Sequence, residues 1–255
     1  MSARTFRPKL DDVTLVAVTS VALTATIASL RRSMQQCDFA RTLLLSDREP
    51  EGSLQGIEWR RIGRLASKAD YSRFMLRELA NHVETSHALC AQWDSFVLQG
   101  SSWREEFLGF DYIGAVWPHF TDNHRVGNGG FSLRSRRLLD ACNDISLSGE
   151  EAEDIAIGRR CRPSLERRGI RFATEEIARQ FAYERTQPTG CEFGFHGVFN
   201  LVRYVSKDDA LALFDSLELG MIAPNERTEL LRWAILRGRL KLARSLLARR
   251  RPRQN

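Results

Sequence analysis

Short runs of leucine and β-branched residues, closed by turn residues, alternate along this chain with stretches whose apolar positions recur every three or four residues. The first run, Val13–Val18, predicts a strand, followed by a turn at Thr19-Ser20 and a helix reaching about Arg32. Leu43-Leu44-Leu45 predicts a second strand ending at Ser46-Asp47, and Glu58 to Ile62 a third. Tyr71 to Glu84 carries Phe74, Leu76, Leu79 and Val83 at helical spacing, with Asp70 as N-cap. His87 to Gln92 predicts a strand that delivers Trp93-Asp94 at its end. Ser102 to Leu108 predicts a short amphipathic helix, and Asp111 to Val116 and Phe131 to Arg134 predict strands. Strands alternating with helices imply an α/β domain with a mostly parallel sheet, in which ligands collect at the carboxyl ends of strands.

From Lys207 the pattern becomes purely helical. Asp208–Leu219 predicts one helix, Pro224-Asn225 a break, and Glu226–Arg250 an amphipathic segment that Gly238 divides into a hairpin. The expected organisation is an α/β domain over residues 1–205 and a helical appendage with a basic tail over 206–255.

The length of 255 residues suits one sizeable α/β domain, and 43% hydrophobic and 27% charged residues are ordinary for a globular chain. The formal charge of +6 is uneven: residues 230–255 hold nine Lys or Arg and no acid, so the rest carries 29 bases against 32 acids, a net of −3. Val13 to Leu30 has no charged residue, but its threonines and serines, and the absence of a basic leader before a leucine core, argue against a membrane span or signal peptide. Five cysteines without a Cys-x-x-Cys pair fit a reducing, cytoplasmic setting better than a disulfide framework or zinc cluster.

Candidate chemistry lies in five blocks: Ala-Gln-Trp-Asp (91–94), Asp-Tyr-Ile-Gly-Ala (111–115), Gly-Asn-Gly-Gly-Phe-Ser-Leu-Arg (127–134), Glu-Asp-Ile (153–155) and Phe-Gly-Phe-His-Gly (193–197). Gly127, Gly129 and Gly130 are able to take φ > 0 and let a ligand lie against the main chain, or simply to form a tight turn. Glu150, Glu151, Glu153 and Asp154 read either as a solvated acidic run or as acids facing a cleft at the start of a buried helix. Asp94 reads as a helix or turn cap or as a ligand at a strand end, and His196 as a loop histidine or a ligand presented between Gly194 and Gly197. His82, His87, His119 and His124 show no ligand spacing and are read as structural.

In order and spacing these blocks resemble an uncharacterised, glycosyltransferase-like family of unknown function, similar to inverting GT-A fold glycosyltransferases, from about Val13 to Tyr204. The resemblance implies a GT-A-like (Rossmann-like) fold and transfer of a sugar from a UDP- or GDP-sugar to a glycan or lipid-linked acceptor. Asp154 would be the base that deprotonates the acceptor hydroxyl, and Glu153 would orient the acceptor. Gln92-Trp93-Asp94 stands where such enzymes carry Asp-x-Asp, so Asp94, closed by His196, would hold Mn2+ or Mg2+, while Gln92 would hydrogen-bond ribose or phosphate. Ser20, Ser67 and Tyr71 would contact the nucleotide, Gly129 and Gly130 would shape the donor pocket, and Trp117 would stack on a sugar ring.

Two other readings stand beside this one. A nucleotidyltransferase would use a similar sheet but needs clustered carboxylates and a basic phosphate grip, and Ser20-Val21-Ala22 offers neither glycine nor lysine there. A degenerate, non-catalytic glycan- or partner-binding module is the reading that Gln92 in place of an acid keeps open. The basic helix allows peripheral contact with the inner face of a membrane, whereas nucleic-acid binding is not expected, since aromatic interleaving is limited to Trp233. A polysaccharide or surface-glycan pathway is the expected setting.

Overall fold

The computed structural model describes residues 7–217 and 221–248. Its strands are β1 (Lys9–Thr19), β2 (Asp38–Ser46), β3 (Glu58–Arg61), β4 (His87–Ala91), β5 (Phe96–Val97), β6 (Tyr112–Ile113), β7 (Phe131–Ser135), β8 (Ala182–Tyr183) and β9 (Gly194–Phe195). The helices are α1 (Leu23–Gln36), α2 (Lys68–Arg77), α3 (Arg136–Cys142), α4 (Glu153–Ile155), α5 (Arg162–Arg167), α6 (Glu175–Phe181), α7 (Val198–Tyr204), α8 (Lys207–Ser216), α9 (Pro224–Leu236) and α10 (Leu240–Ala248).

Among the described residues the main sheet has six strands in the order β3-β2-β1-β4-β7-β6. β1 pairs in parallel with both β2 and β4, and β2 with β3, whereas β7 runs antiparallel to β4 and to β6. The centre of the sheet is covered on both faces, which is why its strands read as continuous apolar runs. Val13, Leu15 and Ala17 of β1 face Ile27 and Leu30 of α1, while Val16 and Val18 face Phe74 and Met75 of α2 and Leu79 beyond it. Small buried residues along α1 permit close approach: Ser29 Oγ donates to the carbonyl of Ser95, and Ser33 Oγ accepts from Val97 N at 3.2 Å.

A second, three-stranded sheet, β5-β9-β8, links the main domain to the helices that follow. Phe96, Tyr183 and Phe195 share one apolar cluster with Leu201 of α7, Phe214 of α8, Leu230 of α9 and Leu246 of α10. The expected boundary after residue 205 therefore falls inside a continuous packing unit.

Several expected elements differ in extent. Helix α2 begins earlier than Tyr71, because Ser67 and not Asp70 is its N-cap: Ser67 Oγ accepts from Asp70 N at 3.1 Å. It ends at Arg77 and gives way to a 3-10 turn over Leu79–His82. The segment 102–108 forms two 3-10 turns, Gly100–Ser102 and Glu105–Gly109. The strand expected from Asp111 to Val116 is confined to Tyr112–Ile113, with a further bridge between Val116 and Val126. Pro224 does not break the chain into a loop; it is the first residue of α9, where a missing N–H is harmless. Gly238, at φ +63°, makes the turn between α9 and α10 as expected. Leu219, Arg249 and Arg250, the expected ends of two helices, lie outside the described residues. Among the described residues, no helix is long and apolar enough to cross a membrane.

Candidate active site

A cleft of about 570 Å³ opens at the carboxyl ends of β1 and β4. Thr19, Ser20 and Val21 line it from the end of β1, Leu65 to Lys68 and Tyr71-Ser72 from α2 and the loop before it, and Gln92-Trp93 from the end of β4. Gly129 and Gly130, the acidic pair and His196 complete the wall. Nearly all the residues singled out in the sequence therefore meet in one cavity; Asp94 lies just behind it on His196, and Trp117 is elsewhere.

The acidic pair divides into two environments. Asp154 faces the cleft, its Oδ2 accepting from Gly129 N at 2.9 Å and its Oδ1 from Ile155 N at 2.8 Å. Glu153 is turned inward. Its Oε1 meets Arg134 Nη2 at 3.0 Å, and its Oε2 accepts from Ser72 Oγ at 3.3 Å. Arg134 is 0% exposed, a guanidinium sealed in the sheet, with its Nε on Ser132 Oγ at 3.0 Å and its plane near the Tyr112 ring. Burial, then the neighbouring charge of Asp154, raises the Glu153 carboxyl above its ordinary value. Glu153 thus supports the wall, with each of its oxygens already engaged within the protein.

His196 stands between two carboxylates. Its Nε2 is 3.4 Å from Asp94 Oδ1 and its Nδ1 3.4 Å from Glu184 Oε1. Burial opposes charge on the ring, but Asp94 and Glu184 outweigh it and hold its pKa well above the ordinary histidine value. Asn128 reaches the same group, donating from Nδ2 to Glu184 Oε2 at 2.9 Å, and Asn200 Nδ2 donates to the carbonyl of His196 at 2.8 Å. Gly197, at φ +99°, turns the chain directly after the histidine and accounts for its presentation.

Asp94 Oδ1 is buried without a hydrogen-bond partner. At 3.4 Å the contact of Asp94 Oδ1 with His196 Nε2 is that of a carboxylate and a charged imidazole, so a cation held by this pair would have to displace the ring proton. Among the described residues no cluster of three or more such ligands exists. Gln92 is turned away from this pair, its Nε2 donating to Tyr71 Oη at 3.0 Å.

The glycine block works differently from expectation. Gly127, Gly129 and Gly130 are absent from the left-handed region; Asn128 alone in the block is there, at φ +69°. What the glycines supply is room. A Cβ on Gly130 would lie 2.1 Å from Nε2 of His196, and one on Gly129 2.3 Å from Oε1 of Glu153. A Cβ on Gly127 would strike the indole of Trp117. Trp117 is accordingly 5% exposed, packed under Gly127 and Gly158 and against Phe120, so it presents no face to an acceptor sugar. Ser67 is held as the cap of α2, and Ser20 Oγ accepts from Leu65 N at 2.9 Å, so both hydroxyls shape the loop that rims the cleft.

Arg134, Glu184 and Asn128 are the residues that sequence reasoning missed. Arg134 left one signal, a charge in a strand otherwise built from Phe, Ser and Leu; Glu184 and Asn128 left none, since their roles arise from partners more than fifty residues away in one case and twelve in the other.

Sheet order, the single antiparallel insertion of β7, and a cleft at the carboxyl ends of β1 and β4 define a mixed α/β protein whose six-stranded, mostly parallel sheet is flanked by helices. The chain belongs to the DUF5672 family, described as a protein family of unknown function, whose model matches residues 57–196. No curated protein matches it by sequence. Among solved structures it is similar to the galactosyltransferase LgtC in complex with donor and acceptor sugar analogs, at 11% identity and a TM-score of 0.48 over 84% of this chain and 99% of that one. It is also similar to the mannosyltransferase PcManGT from Pyrobaculum calidifontis in complex with GDP-Man and Mn2+, at 11% identity and a TM-score of 0.47 over 96% of this chain and 87% of that one.

Proposed function

We propose that the cleft transfers a glycosyl group from a nucleotide-sugar donor, a UDP- or GDP-sugar, to the hydroxyl of a glycan or lipid-linked acceptor, with inversion at the anomeric carbon. The observation that carries this reading is that Asp154 lies on the wall of the same cavity as His196, with Asp94 behind it on His196. A volume of about 570 Å³ is in the range that holds a cofactor-sized ligand.

In this reading the Asp154 carboxylate, oriented by the Gly129 N–H, takes the proton of the acceptor hydroxyl. The acceptor oxygen forms its bond to the anomeric carbon as the bond from that carbon to the diphosphate breaks on the opposite face. The electron pair leaves with the nucleoside diphosphate. Asp94 and His196 would hold Mn2+ or Mg2+, which would supply neutralisation of the diphosphate charge. Arg134 and Glu153 fix the start of α4 and, with it, the direction of Asp154. Gln92 and Tyr71, joined to each other, leave polar atoms at the donor side of the cleft.

Thermal-shift measurement against a set of UDP- and GDP-sugars, with and without Mn2+, tests the reading, because a ligand selective for the folded state raises the melting temperature. A rise with one donor that requires Mn2+ and disappears in Asp94→Ala is the expected result. A folded sample that responds to no donor would overturn it in favour of a non-catalytic module.

A further inference from the structure

The hairpin of α9 and α10 ends in an apolar tip. Leu236 is 85% exposed, Leu240 61% and Ile235 54%, all within one turn of Gly238. Leu247, 41% exposed, lies seven residues beyond Leu240 and so extends the same face along α10. The opposite face of α10 is already satisfied, with Leu242, Ala243 and Leu246 buried in the C-terminal cluster. Isolated exposed leucines are ordinary, but four large aliphatic side chains on one projecting edge are not.

The charged residues of the turn and of α10 itself are all basic; the acid that meets α10 is Asp215 of α8, which accepts from Ser245 Oγ at 2.7 Å. Arg237 sits in the turn, Lys241 and Arg244 flank Leu240 on α10, and all three are exposed. Arg239 is stacked over the Trp233 ring, its guanidinium carbon 4.8 Å from the centroid. From Leu230 to Ala248 there are five basic residues and no acid, and residues 249–253 add four arginines. A second copy of this chain presenting the same tip would bring like charge to like charge. A layer that offers apolar depth beneath a negative surface complements both features.

We propose that the α9–α10 hairpin docks on an anionic lipid surface, with Ile235, Leu236 and Leu240 entering the headgroup–acyl boundary and Arg237, Lys241 and Arg244 meeting lipid phosphates. The docking is peripheral. It uses no residue of the cleft and stands whether or not the cleft transfers sugar.

Co-sedimentation of the full chain with vesicles tests it, using phosphatidylcholine alone and phosphatidylcholine with one third phosphatidylglycerol. The expected result is binding to the anionic vesicles only, weakened by salt. Leu236→Glu with Leu240→Glu should lower partitioning at least tenfold, at roughly fivefold per unfavourable charge near the surface. Lys241→Glu with Arg244→Glu should do the same while leaving the apolar tip intact, and circular dichroism melts of both variants confirm folding. The proposal is overturned by no binding of the wild-type chain to anionic vesicles. It is equally overturned if the leucine variant binds as well as wild type, which would assign the attraction to terminal arginines alone. A wild-type dimer in light scattering that becomes monomeric in the leucine variant would reassign the tip to self-association.

Discussion

Arg134 and Arg237 carry the same guanidinium, and the fold treats them in opposite ways. Arg134 lies inside β7 at 0% exposure, with Glu153, Ser132 and the Tyr112 ring around it. Arg237 stands in solvent between two exposed leucines. In the cleft, charge is enclosed and answered by a partner, which fixes geometry; in the hairpin, charge and apolar surface are displayed together, which fixes nothing until something is met. The difference separates residues whose replacement disturbs the molecule from residues whose replacement disturbs only what the molecule touches.

Within the cleft the sharpest test divides neighbours. Asp154→Asn keeps the size of the side chain and removes the base, so transfer should fall by about 10²–10⁴-fold in kcat. Donor binding, read by thermal shift, should be nearly unchanged. Wild-type turnover in this variant would refute the assignment of the base.

Arg134→Ala should act on stability. It leaves Glu153 buried without its cation, and removing one partner of a buried pair costs about 3–5 kcal/mol. Urea unfolding measures it. The pH dependence has a definite sign. Glu153 already has a raised carboxyl pKa, so its protonated form suits the fold, and stability from this group is present below the unfolded value of about 4.3 and lost as pH rises through the folded one. Without Arg134 that loss should deepen, so the gap between variant and wild type should narrow as the solution is acidified from neutrality. A gap that widens on acidification would show that Glu153 is not the residue left uncompensated.

Gly130→Ala is expected to have a smaller effect of a different kind. The new methyl meets Nε2 of His196, which must rotate away from Asp94 and Glu184. Overpacking of this sort costs about 1–3 kcal/mol. The loss of Mn2+-dependent donor binding should exceed the loss of stability, and an unchanged Mn2+ response would place the cation away from His196.

What was legible in the sequence follows the same division. The central strands were legible because burial on both faces makes β1, β2 and β4 continuous apolar runs, and the turn at Thr19-Ser20 was marked by its residue types. Asp154 stood out as half of an acidic pair before an apolar run, and His196 as a histidine between Gly194 and Gly197. The function of Gly127, Gly129 and Gly130 did not, because whether a glycine supplies a positive φ or a missing Cβ depends on what lies opposite, and Glu153, Trp117 and His196 arrive there through the fold. Trp117 was misplaced for the same reason: an indole that suits a sugar face equally suits the floor beneath Gly127 and Gly158. Pro224 was misread because proline ends a helix in its interior and starts one at its first position, and the local sequence alone does not distinguish the two. The amphipathic hairpin was legible as a pattern, but which of its apolar residues stay exposed depends on how α10 sits against α8 and α9.

The smallest effect is the one that isolates the hairpin. Leu236→Glu removes an 85% exposed side chain that contributes to no buried contact, so the change in unfolding free energy should stay within about 0.5 kcal/mol. Added negative charge near Arg237 and Arg239 should, if anything, offset repulsion among the basic residues of the turn. Differential scanning fluorimetry of the single variant beside wild type is sufficient. A melting temperature lower by many degrees would mean that Leu236 packs against the body of the protein in solution, and the contrast between an enclosed cleft and a displayed tip would fail at the hairpin. An unchanged melting temperature, alongside the loss expected for Arg134→Ala, would show that the exposed leucines are dispensable for the fold and leave their presence to be accounted for by what they contact.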